Sequence, residues 1–169
     1  FNRSPIGQWT RLPPAMMGVL RAGLSMARLS NGAFDPAIGG IVARWGFGPA
    51  LAGGSATASV APWTCIELNG DRARRTADVA LDFSGIAKGY AVDAVAACLR
   101  NLGLPNFLVE IGGELRGEGV KPDIQPWWVD AEVPPGLDLP TLRVALCGLS
   151  MASSGDYRRY RMEGDRRLS

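Results

Sequence analysis

Glycine and proline cut the apolar runs of this chain into short pieces, and that punctuation narrows its fold more than any other feature. Residues 64–68, 72–76, 79–83, 107–111, 127–133 and 142–146 are strand-like, and turn signals separate most of them. Asn69-Gly70 between two such runs predicts a hairpin, and Glu163-Gly164-Asp165 predicts a last one whose first arm is 157–162. Two helical stretches intervene. Pro13-Pro14 introduces Met17, Leu20, Leu24 and Ala27 at helical spacing, and Asn31-Gly32 stops them. Ser84 can cap a second helix whose apolar positions Ala91, Val95, Cys98 and Leu102 share a face before Gly103 and Pro105 end it. Between them, 33–62 reads as loop with a short helix near 38–45. Hairpin-like strands with interposed helices favour an α+β domain over a doubly wound parallel sheet.

A chain of 169 residues suits one domain. It holds no apolar run long enough to cross a bilayer as a helix. Phe1-Asn2-Arg3 and Arg166-Arg167-Leu168-Ser169 have no leader and no closing tail, so we expect a domain cut at both ends. A net charge of +2 is too small to suggest a nucleic-acid partner, while local anion binding stays open. Cys65, Cys98 and Cys147 are widely spaced and read as buried, quiet thiols. The chain has no histidine, so its chemistry falls to carboxylates, hydroxyls, lysine or backbone.

Four segments carry candidate chemistry. Leu81-Asp82-Phe83-Ser84-Gly85-Ile86-Ala87-Lys88-Gly89-Tyr90-Ala91-Val92-Asp93 sets two glycines, a lysine and acids at a strand-to-helix junction. Unpaired N–H groups there, with the Lys88 ammonium, could receive a pyrophosphate, and a carbonyl near Gly85 could face a cation; the alternative is a capped helix packed closely at its glycines. Asn31-Gly32-Ala33-Phe34-Asp35-Pro36 projects an aromatic and an acid from a rigid turn, suited to a flat heterocycle or to closing a helix. Glu110-Ile111-Gly112-Gly113-Glu114 is a strand broken at two glycines, by a bulge or for a ligand. Ser153-Ser154-Gly155-Asp156-Tyr157 is a polar turn that either closes on itself or meets a ligand. In Arg158-Arg159-Tyr160-Arg161, strand alternation would split the basic residues between faces, which weakens a nucleic-acid reading.

In this order, Gly32-Ala33-Phe34-Asp35-Pro36, Trp45-Gly46-Phe47-Gly48, Ser84 to Asp93, Glu110-Ile111-Gly112-Gly113-Glu114 and Ser153-Ser154-Gly155-Asp156-Tyr157 resemble the ApbE family of FAD:protein FMN transferases. The resemblance implies a T-fold-like α+β domain of antiparallel strands with packed helices, incomplete here, that binds FAD and Mg²⁺. It implies transfer of FMN to a Thr or Ser of an acceptor flavoprotein with release of AMP. By the same resemblance Ala33, Phe34, Asp35, Asp82 and Lys88 match FAD-contacting positions, and Gly85 matches a position whose carbonyl helps ligate the metal. Further metal ligands and a His motif are expected beyond Ser169. A bacterial cell-envelope setting follows, with a membrane-anchored parent or a cytoplasmic one both open. The competing readings are a flavin-binding scaffold without catalysis and an enzyme that hydrolyses FAD to FMN and AMP.

Overall fold

A computed structural model describes residues 1–48, 61–155 and 157–168. The chain divides into two compact units, Phe1–Ala87 and Lys88–Ser169.

The first unit holds β1 (Thr10–Arg11), α1 (Pro14–Leu29), α2 (Gly39–Arg44), β2 (Ile66–Asn69) and β3 (Arg72–Arg75). Proline occupies the first turn of α1, where its missing N–H costs nothing, and no side chain caps that end. The predicted stripe is the buried one: Met17, Leu20, Leu24 and Ala27 all face inward. The helix ends as expected, because Asn31 and Gly32 adopt left-handed backbone (φ 51° and 83°) and Gly32 N–H donates to the Ala27 carbonyl at 2.8 Å. The hairpin at Asn69-Gly70 also forms, with Asn69 opposite Arg72 and Gly70 at φ 59°. Strand β1, which the sequence did not suggest, adds to β3 on its other edge.

Leu12, Met17, Leu20, Leu24, Ala37, Ile66, Ala73, Val79 and Leu81 form one core in this unit. Full burial of a leucine such as Leu20 stabilises by about 2 kcal/mol. The strand expected over 79–83 is not built as a ladder; Ala80 makes one parallel bridge to Ile38. Its backbone groups are taken by other partners. Gly39 N–H donates to the Ala80 carbonyl, Asp82 N–H donates to Pro36, and the Asn2 side chain bonds Leu81. Gly39 has to be glycine for this approach, since a Cβ there would lie 2.8 Å from the Ala80 and Leu81 oxygens.

The second group of elements comprises α3 (Ala87–Asn101), β4 (Phe107–Ile111), β5 (Glu114–Glu118), β6 (Trp127–Asp130), β7 (Arg143–Leu146), β8 (Leu149–Met151), β9 (Arg161–Glu163) and β10 (Arg166–Leu168). Strands β4, β5 and β8 make a three-stranded sheet in the order β4-β5-β8, while β6-β7 and β9-β10 are two-stranded ribbons. Every named pair is antiparallel, so the α+β class stands. The β4–β5 turn is the Gly112-Gly113 step, where both residues take positive φ. That geometry makes the glycine break a tight hairpin turn.

Three sequence expectations are corrected here. Helix α3 buries Val92 and Ala96 against Phe107 and Val109, with Leu99 beside them, whereas Val95, Cys98 and Leu102 are exposed. Two overlapping stripes satisfy helical spacing in so alanine-rich a segment, and the β4 side chains select the neighbouring one. For the thiols, Cys98 and Cys147 are exposed and Cys65 half-buried, so none is fully buried. Thirdly, regular strand in the last hairpin begins only at Arg161, and Arg158 instead donates to both oxygens of Glu132. That bond, then one from Tyr157, holds the Glu132 carboxyl below its ordinary pKa.

Charge carries much of the contact between α3 and β5. Arg116 donates to Glu118 and to Asp93, each at 2.8 Å, and Arg100 also pairs with Glu118. The Glu118 and Asp93 hydrogen bonds raise the Arg116 pKa further, so it stays cationic throughout the accessible range.

Candidate functional site

The turn after α1 is assembled from short local bonds. Phe34 N–H donates to Ser30 Oγ at 3.0 Å, and Ala37 N–H donates to Asp35 Oδ1 at 2.7 Å, an Asx arrangement that fixes the chain across Pro36. Pro36 is fully buried, which anchors the turn, while Phe34 and Asp35 keep partial exposure and Ala33 is exposed.

The second turn is built alike. Ser84 N–H donates to Asp82 Oδ1 at 2.8 Å, an Asx turn of the same kind ahead of α3. The fold brings the two turns together: Asp82 N–H donates to the Pro36 carbonyl at 2.9 Å. Phe34 lies over Gly85 so closely that a Cβ there would be 3.0 Å from its ring. Ala33, Phe34, Asp35, Asp82 and Gly85 therefore occupy one neighbourhood of the first unit. Among the described residues, Asp35 and Asp82 each spend one carboxylate oxygen on a local amide, and each keeps the other for a hydrogen-bond donor.

The junction does not present the row of unpaired amides that its sequence suggested. Ser84 N–H is held by Asp82, and the N–H groups of Ile86 and Ala87 both donate to the Phe83 carbonyl. Turn closure satisfies these donors before the helix begins, which is the usual fate of end groups. Lys88 is likewise engaged in its own unit: its Nζ donates to Gly112 O at 3.0 Å and lies 2.6 Å from Glu114 Oε1. Its stem packs on the turn, where a Gly112 Cβ would meet Lys88 Cδ at 3.1 Å. The ammonium thus has one donor left of three. Local geometry gives a fixed lysine and two joined acidic turns, not a ready-made phosphate cradle.

Nor do the described residues make a Mg²⁺ site by themselves. No group of three or more His, Cys, Asp or Glu among them is arranged to hold a metal ion, and the Gly85 carbonyl alone falls far short of an octahedral oxygen set. In the Ser153-Ser154-Gly155-Asp156-Tyr157 motif, Asp156 lies outside the described residues. A cavity of about 750 Å³ opens elsewhere in the first unit, lined by residues such as Leu12, Pro13, Met17 and Arg21, and none of the predicted site residues lines it.

Sequence reasoning missed Asn2 and Ser30. Ser30 had a detectable signal, a hydroxyl four residues before Phe34 at a helix end. Asn2 had none, because its partner Leu81 is 79 residues away.

A model of the ApbE family matches residues 1–169. The FAD:protein FMN transferase of Haemophilus influenzae is 34% identical over 167 residues, covering 89% of this chain and 48% of that protein. Its namesake from Vibrio cholerae is 32% identical over 176 residues, covering 95% and 51%. Among solved structures, the apo flavinyl transferase ApbE of Pseudomonas stutzeri superposes with a TM-score of 0.84 at 34% identity, covering 100% of this chain and 55% of that one. The ApbE protein of Thermotoga maritima gives 0.84 at 28% identity, covering 98% and 57%. The chain spans about half the length of the curated relatives it matches.

Proposed function

Because this chain belongs to the ApbE family, we propose that the protein moves FMN from FAD to a Thr or Ser hydroxyl of an acceptor flavoprotein. The observation that carries the reading is the joining of the family's two motif turns, through the Asp82–Pro36 bond and the Phe34–Gly85 contact. A half-exposed aromatic ring at two joined acidic turns suits a flat heterocycle edged with N–H and hydroxyl donors. On this reading Ala33, Phe34, Asp35 and Asp82 contact FAD.

The reaction balances without a redox step. The acceptor hydroxyl oxygen attacks the phosphorus on the FMN side of the pyrophosphate, its proton passes to solvent, and the bond to the bridging oxygen breaks with its electron pair leaving on AMP. Charge on the phosphoryl oxygens and the departing AMP then needs neutralising, the service Mg²⁺ performs in such transfers. The described residues do not by themselves complete a site for that ion. A bacterial cell-envelope setting, with or without a lipid anchor, belongs to the same proposal.

The test uses the full-length protein with FAD, Mg²⁺ and an acceptor domain. The acceptor should gain the mass of one FMN at a Thr or Ser, with AMP released in equal amount. AMP release without any acceptor labelling would mark a hydrolase instead, and no reaction with several authentic acceptors would remove the transferase reading. Asp35→Ala should weaken FAD binding by about tenfold, the loss expected for one charge-assisted hydrogen bond.

A further inference from the structure

We propose that Asn2 is a positioning residue for the Asp82 turn. The Asn2 carboxamide donates from Nδ2 to Leu81 O at 2.9 Å and accepts from Leu81 N–H at Oδ1, 2.7 Å away. A carboxamide offers a donor and an acceptor side by side, as a peptide unit does, so one side chain stands in for a neighbouring strand. Leu81 is buried in the core, and its two main-chain groups have to be paired.

The rest of the N-terminal segment is fastened to hold Asn2 in place. Arg75, whose side chain is largely buried, donates from Nε and Nη2 to Ser4 O and from Nη1 to Val79 O. Gly7 N–H donates to Arg75 O at 2.8 Å, and Phe1 packs on the apolar core. One guanidinium therefore clamps the segment bearing Asn2 beside the segment that leads into Asp82. Along that approach Val79 O is held by Arg75, Ala80 O by Gly39, both Leu81 groups by Asn2, and Asp82 N–H by Pro36. Asn2 supplies two of these five bonds, and it acts on the residue immediately before the acid.

This role rests on the reading of Asp82 as an FAD contact, and the experiment separates the two. Amide hydrogen exchange over residues 81–84, thermal melting and FAD affinity by fluorescence are measured on the full-length protein. Asn2→Leu keeps the size and removes both bonds; Asn2→Asp keeps the acceptor and loses the donor. Thr10→Val serves as the control, because it removes a Thr10–Ser4 bond in the same region without touching Leu81.

Asn2→Leu should speed exchange over 81–84 while leaving the β2–β3 hairpin protected, and should raise the Kd for FAD about tenfold or more. Asn2→Asp should fall between it and wild type, and it carries the test if the leucine variant does not fold. Thr10→Val should change neither readout. Unchanged exchange over 81–84 would overturn the proposal. Faster exchange with unchanged FAD affinity would leave Asn2 a structural role only and overturn it equally. A wild-type protein that binds no FAD would instead sink the flavin reading, and the exchange data would still decide whether Asn2 sets the turn.

Discussion

The first unit is held chiefly by apolar packing, the second much more by charge. Nine buried residues form the core of Phe1–Ala87, whereas four, Val92, Ala96, Phe107 and Val109, form the cluster centred on α3 and β4. Around the smaller cluster lie the pairs Lys88–Glu114, Arg116–Asp93, Arg116–Glu118 and Arg100–Glu118. Apolar burial is nearly indifferent to salt, while partly exposed ion pairs are screened by it. The two units should therefore differ in which conditions loosen them, even though they sit in one chain.

Truncation in the two cores gives the largest expected effect. Leu20→Ala should cost about 3–4 kcal/mol by denaturant unfolding, because Leu20 is fully buried in a core with eight other buried residues. Val109→Ala, in the smaller cluster, should cost about 2 kcal/mol. Equal losses would break the comparison. Next comes Arg116→Ala, expected to cost about 1 kcal/mol at low salt and less in high salt, with the change confined by hydrogen exchange to α3 and β5. A salt-independent loss would mean that Arg116 acts through its alkyl stem. The smallest effect belongs to Cys98→Ser, within about 0.5 kcal/mol of wild type because the thiol is exposed. In the native protein Cys98 and Cys147 should react with a thiol reagent faster than half-buried Cys65.

What could be read in the sequence was what local physics decides. The α1 stripe, its stop at Asn31-Gly32, the Asn69-Gly70 hairpin and β4 each depend on spacing or turn chemistry within a few residues, and each formed where expected. The buried face of α3 was legible only to within one residue, because alanines fill the positions between its two candidate stripes. The stretch around Ala80 read as a strand from its apolar residues. Its actual conformation depends on Asn2, Pro36 and Gly39, distant partners that no local pattern records.

The candidate site divides in the same way. The two acidic turns could be found by composition, and so could the Gly112-Gly113 step. Their occupancy could not. Whether a junction amide is free or already bonded is settled by the turn that forms, and here Asp82 and the Phe83 carbonyl took the donors first. Lys88 likewise found Glu114 across a hairpin whose register the sequence did not fix.

Gly85 restricts what its position can contribute. With the Phe34 ring filling the space where a side chain would start, a larger residue would press on that ring and require it to shift. Whatever chemistry position 85 offers must come from its peptide group. A substitution there would therefore disturb the packing of Phe34 before it added any new group to the turn.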